Sequence, residues 1–133
     1  MIAKAVRKHR PPQVSAMEKI FEQALLYDFY GELLTEHQKS IYEDAVYHDM
    51  SLGEIAEEHG ISRQGVHDLL RRCDRILQDY EAKLHLVERF ARAKGRIQEI
   101  EQLTQRAAQD SNVAIDDCMR RIQELAGELL EEL

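Results

Sequence analysis

The stretch Ser51-Leu-Gly-Glu-Ile-Ala-Glu-Glu-His-Gly-Ile-Ser-Arg-Gln-Gly-Val-His-Asp-Leu-Leu-Arg-Arg72 constrains this chain more than any other. Two short helices that cross steeply over a tight turn need a small side chain on the first helix, and Ala56 supplies it. Four residues later the turn needs a positive φ, which Gly60 adopts without a Cβ clash. Ile61 then plugs the angle, Val66 and Leu69 pin the second helix onto the first, and Ile55 faces the same core. Ser51 and Ser62 stand where each helix needs a capping oxygen. Together these residues predict a helix-turn-helix. His59 is out of character, a polar residue where packing would favour an apolar one.

The rest of the chain follows the same helical grammar. A Ser or Thr followed three residues later by Glu or Gln marks a helix start, and the pattern recurs as Ser15…Glu18, Thr35…Gln38 and Ser51…Glu54. The first helix is expected over 16–34, with Met17, Ile20, Phe21, Ala24, Leu25, Phe29 and Leu33 as its apolar positions. The second covers 36–47 and buries Ile41 and Ala45, with Tyr42 or Val46 as further candidates. From Ser62 a helix runs with no evident stop before Gly95. Its seam of Val66, Leu70, Cys73, Leu77, Tyr80, Leu84, Val87 and Ala91 alternates spacings of four and three, the period of a coiled coil. Another helix follows on Ile97, Ile100, Leu103 and Ala107, then a turn at Asp110-Ser111-Asn112. The last helix carries Ile115, Met119, Ile122, Ala126, Leu129 and Leu133, supported by the pairs Asp116–Arg120 and Asp117–Arg121. Strand-like alternation is missing throughout, so the expected class is all-α: a helix-turn-helix domain, a long helix and a helical C-terminal extension.

Three regions are expected: a basic tail over 1–14 with Lys4, Arg7, Lys8 and Arg10, a helix-turn-helix domain over 15–82, and a helical extension over 83–133. A thirty-residue helix spans about 45 Å, longer than the small domain at its start. Its far half needs a partner, and a homodimer that buries both seams is the expected solution.

Function is expected on the second helix of the motif. Its N-terminal part would enter a major groove, placing Arg63 against guanine and Gln64 against adenine. His67 faces outward beside them, and Arg71, Arg72 and Arg75 would meet phosphates. Charge argues for a local patch only. The 133-residue chain carries a net charge of −7, and residues 51–75 set four arginines against five carboxylates.

Other chemistries find little support. The six histidines make no HxxxH or HExxH spacing and lack a nearby cysteine, so no metal site is expected. They are read instead as solvent-facing or capping residues. A nucleophile–base pairing and a phosphate-cradling glycine loop are both missing, so neither an enzyme nor a cofactor is expected. Cys73 and Cys118 are far apart and outside any CxxC motif, which fits two small buried hydrophobes in a reducing, cytoplasmic setting. No apolar run reaches the ~20 residues that span a bilayer, so membrane insertion is not expected.

Several stretches add a resemblance. Leu26-Tyr-Asp-Phe-Tyr-Gly-Glu-Leu-Leu-Thr-Glu-His-Gln38, Ser51-Leu-Gly-Glu-Ile-Ala-Glu-Glu58, Gly60-Ile-Ser-Arg-Gln64 and Asp79-Tyr-Glu-Ala-Lys-Leu-His-Leu86 are similar to the bacterial YlxM-type helix-turn-helix proteins. Gly65 stands where that family usually has Ala, and His67 where it usually has Tyr. The resemblance implies a motif akin to region 4 of primary sigma factors. It also implies a regulatory role in the signal recognition particle pathway, with the particle's GTPase, its RNA, or both as partners. The alternative is a sequence-specific DNA-binding regulator that reads bases with residues 62–72.

Overall fold

A computed structural model describes residues 16–133, with side chains from Met17 onward. The basic tail over 1–14 and the Ser15 cap therefore lie outside the described residues. The helices are α1 (Ala16–Tyr30), α2 (Glu36–Val46), α3 (Leu52–His59), α4 (Arg63–Leu84), α5 (Leu86–Gln109) and α6 (Ile115–Glu132), and a 3₁₀ turn (Gly31–Leu33) follows α1. Strands are absent among the described residues, and the protein is all-α. It divides into two compact units, the first ending at Asp79 and the second spanning Tyr80–Leu133.

Helix starts are set by short-range capping. Thr35 forms the full reciprocal box: its Oγ1 accepts from the Gln38 N–H at 3.2 Å, and its own N–H donates to Gln38 Oε1 at 2.9 Å. Ser51 Oγ accepts from the Glu54 N–H at 3.1 Å, while its hydroxyl donates to the Glu54 carboxylate. Ser62 Oγ accepts from the Gly65 N–H at 2.9 Å. Each such cap stabilises its helix by ~1 kcal/mol.

The first unit is built on Ile41, Ile55, Ala56 and Val66, with Ala45, Met50, Leu52, Ile61, Leu69 and Leu70 packed against them. Helix α1 ends at Tyr30, short of the expected Leu34, and turns a different face inward from the one the spacing suggested. Leu26, Tyr30 and Leu34 are buried, whereas Met17, Phe21 and Leu33 are exposed. Apolar residues occur on more than one side of α1, so periodicity alone does not choose the face. Tyrosine packing does. The Tyr27 ring covers Gly31, where a Cβ would come within 2.8 Å of it, stacks on Tyr42 at 5.5 Å and meets Tyr47 edge-on at 5.8 Å. Tyr27 donates to Glu43, and Tyr47 donates to Asp28 at 2.6 Å. Burial and the Asp28 hydrogen bond push the Tyr47 phenol up to about 12.

Asp74 ties α4 to α1 and α2. It accepts from the fully buried Tyr42 hydroxyl at 2.7 Å and from Gln23 Nε2 at 3.0 and 3.1 Å. Asp44 joins α2 to α3 in the same way. His48 Nδ1 and His59 Nε2 each lie 2.8 Å from one of its carboxylate oxygens. Those two imidazoles, His59 foremost, hold the Asp44 carboxyl below its ordinary range. The solvent-facing role expected for the histidines is thus corrected at His59, whose side chain is only 17% exposed.

The uninterrupted helix from Ser62 to Gly95 is also corrected. It breaks at His85, which adopts a left-handed φ of 56°. The break is held by Glu81, whose two carboxylate oxygens accept from the N–H groups of Val87 and Glu88 at 3.0 Å each. Those are orphan donors of the first turn of α5. Gly95 lies inside α5 instead. Of the expected seam, Val66, Cys73 and Leu77 are fully buried, while Leu84 and Ala91 are exposed.

In the second unit α5 and α6 run antiparallel. Asp110 Oδ1 accepts from the Asn112 N–H at 2.9 Å in the turn between them. The inward face of α6 is Cys118, Ile122, Leu125 and Leu129, so the expected seam is displaced and Ile115, Met119 and Leu133 are exposed. The pairs Asp116–Arg120 and Asp117–Arg121 are replaced by others. Arg120 meets Asp117 at 3.3 Å, and Arg121 reaches across to Glu99 on α5 at 3.0 and 3.2 Å. Arg96 likewise crosses to Glu132 at 2.7 Å and Glu128 at 3.1 Å. At Arg121 a contact between helices displaces the expected i,i+4 pair, worth only ~0.2–0.5 kcal/mol, whereas Arg120 exchanges it for an i,i+3 pair on the same helix.

Two glycines give opposite expectations in thermal melts. Gly60 sits at φ 67°, where an L side chain costs ~1–2 kcal/mol, so Gly60→Ala should lower the midpoint. Gly95 lies mid-helix with open space where a Cβ would go, so Gly95→Ala should stabilise by ~0.5–1 kcal/mol. A lower midpoint for Gly95→Ala would contradict its placement.

Candidate nucleic-acid interface

Helix α3, the turn through Gly60 and the start of α4 form the elbow. Gly60 is left-handed, its N–H donates to the Ala56 carbonyl, and the Ile61 N–H donates to that same carbonyl at 3.1 Å. Ile55, Ala56 and Val66 are buried at the crossing, and Ile61 and Leu69 pack against them.

With Val66, Cys73 and Leu77 turned inward, the opposite side of α4 faces solvent. Arg63, His67, Arg71 and Arg75 recur every four residues, so they form one row along the exposed surface. Gln64, Asp68 and Arg72 form the row beside it. All seven side chains are exposed. Arg63 lies over α3, its Nε 3.8 Å from where a Gly53 Cβ would stand.

Asp68 alters this surface in a way the sequence reading did not anticipate. Gln64 Nε2 donates to Asp68 Oδ1 at 2.9 Å, and His67 Nδ1 lies 3.7 Å from the same oxygen. Gln64 must leave that hydrogen bond to grip a base. The i,i+4 spacing of Gln64 and Asp68 was the available signal. Asp74 was also missed, because its partners Tyr42 and Gln23 lie 32 and 51 residues away in sequence, and so was the link from Asp44 to His59, 15 residues away.

A left-handed glycine elbow between two capped helices, the second presenting a basic row, defines a helix-turn-helix protein. A profile of the UPF0122 family, described as "Putative helix-turn-helix protein, YlxM / p13 like", matches residues 17–118. The chain belongs to that family. It is 41% identical over 117 residues to a UPF0122 protein of Acetivibrio thermocellus, covering 86% of this chain and 99% of the relative. It is 38% identical to one of Shouchella clausii, covering 77% and 89% respectively. Against the UPF0122 protein YlxM of Bacillus subtilis it is 37% identical, covering 74% and 89%. Among the described residues, no helix is long and apolar enough to cross a membrane.

Proposed function

We propose that the protein is a non-enzymatic regulator that binds nucleic acid through the exposed face of α4. The observation that carries this reading is the row Arg63, His67, Arg71 and Arg75 beside Gln64 and Arg72, set at the elbow of a helix-turn-helix. Arg63 and Gln64 lie at the leading end, where base edges come within reach, and Arg71, Arg72 and Arg75 serve the phosphates.

Two partners follow. The resemblance to YlxM-type proteins favours the signal recognition particle, with its GTPase and RNA as ligands and the protein as a cytoplasmic accessory. The motif akin to sigma region 4 that the same resemblance implies favours duplex DNA. The major groove of B-DNA admits a helix, whereas that of A-form RNA is too deep and narrow to be read by side chains. RNA would therefore be held mainly through phosphates and 2′-hydroxyls.

Titrating promoter duplexes and particle RNA separates these readings. Replacing Arg71, Arg72 and Arg75 together by alanine should flatten the salt dependence of log K by about 2–3, at 0.7–0.9 per lost phosphate contact. If DNA is read directly, Arg63→Ala should relax discrimination by about 1–3 kcal/mol at a single base pair. Variants that bind either ligand as the parent does, at every salt concentration, would overturn the interface.

The protein is further proposed to act as a homodimer. Leu86, Phe90, Ile97, Leu129 and Leu133 line an open apolar groove on the α5–α6 unit, a surface that a second copy would cover in coiled-coil fashion. A single sedimenting species of 15.5 kDa at micromolar concentration would refute this.

A further inference from the structure

Behind the elbow, on the side of α3 that meets α2, His59 converges with two carboxylates. One ligand atom from each of Asp44, Glu58 and His59 lies within 4.8 Å of the others, and His59 Nε2 is 2.8 Å from Asp44 Oδ2. We propose that these three residues bind a divalent transition ion of the zinc class.

Four observations support the site. The ligand set suits such an ion: imidazole nitrogen with carboxylate oxygen is a donor combination of Zn²⁺ and its neighbours, whereas Ca²⁺ takes six to eight oxygens. The spacing needs only small side-chain adjustments, since bonds of about 2.0–2.2 Å place tetrahedral ligand atoms roughly 3.3 Å apart. Asp44 is already oriented from behind, because His48 Nδ1 contacts its other oxygen at 2.8 Å. Such outer partners fix the direction of a metal-binding group. Finally, His59 occupies a position that packing would give to an apolar side chain, and a local departure of this kind is expected where a residue serves a site.

Charge points the same way. Asp44 is only 9% exposed, and two carboxylates around one imidazole leave negative charge that a dication would balance. A second imidazole, His37, stands close, its ring centroid 6.3 Å from that of His59. Because Asp44 lies on α2 and His59 is the last residue of α3, bound metal would clamp the two helices immediately before Gly60.

The test uses the full chain stripped with EDTA. Titration with Co²⁺ should give visible d–d absorption that saturates at one equivalent, and Zn²⁺ should displace it while millimolar Mg²⁺ does not. Zn²⁺ should also raise the thermal midpoint. His59→Ala should abolish the absorption, and Glu58→Gln, at an exposed position that the fold tolerates, should weaken it at least tenfold. His48→Gln should weaken binding about tenfold through loss of orientation alone. An absent Co²⁺ signal at one hundred micromolar metal would overturn the proposal. So would Glu58→Gln and His48→Gln proteins that both bind as tightly as the parent, or displacement of Co²⁺ by Mg²⁺.

Discussion

Truncating Ile55 to alanine should remove about 2–5 kcal/mol of unfolding free energy. Ile55 is fully buried at the crossing of α3 and α4, in one cluster with Ile41, Ala56 and Val66. The loss combines the transfer of its methyl and methylene groups with the void left where neither helix can close in. That is a large share of the ~5–15 kcal/mol available to a protein of this kind. Urea unfolding followed by tyrosine fluorescence reports mainly on this unit, since Tyr27, Tyr30, Tyr42 and Tyr47 lie in it, Tyr80 is the one tyrosine of the second unit, and the chain has no tryptophan. The midpoint should fall with little change in slope. Leu33→Ala, at a residue 54% exposed, should change stability by no more than ~0.5 kcal/mol. A loss below about 1 kcal/mol at Ile55 would mean that the elbow is not packed as described.

The second large effect concerns Cys73. Burial, reinforced by the neighbouring Asp74 charge, pushes its thiol up to about 11. At pH 8 the thiolate fraction is then ~0.1%, against roughly a quarter for a free cysteine of pKa 8.5. Alkylation of the native protein at Cys73 should therefore run at least a hundredfold slower than that of glutathione, and recover in denaturant. Mass spectrometry of peptides distinguishes it from Cys118. The linkage has a definite sign. Because the folded state holds this proton more tightly, its contribution to stability is complete below about pH 8.5 and is lost as the pH rises toward 11. Modification of Cys73 at the glutathione rate, with the fold intact, would contradict its burial.

The parts of the fold that could be read in advance are those governed by neighbours in sequence. The all-α class, the caps at Thr35, Ser51 and Ser62, and the turn at Gly60 each depend on residues within four positions of one another. The parts that escaped depend on distant partners or on competition. Nothing local at His85 announces a break, because it is neither glycine nor proline, and its cap comes from Glu81 in the preceding helix. Gly95 looked like a stop but tolerates a helix that α6 supports from the side. The inward face of α1 was hidden by having apolar residues on several sides, and it was settled by Tyr27 lying across Gly31. At the candidate interface, the exposed row on α4 follows from its period. The hold of Asp68 on Gln64 was signalled only by their i,i+4 spacing.

The tether at Asp74 has a consequence for aim. A helix pinned only by greasy contacts can roll slightly about its own long axis, and each residue's worth of roll swings its outer side chains through about 100°. A single carboxylate gripped by Tyr42 and Gln23 at once removes that freedom, because its two donors belong to different helices, α2 and α1. The azimuth of the arginine row is thereby fixed from the rear. Losing the Tyr42 hydroxyl would leave the row its full charge but spread its heading.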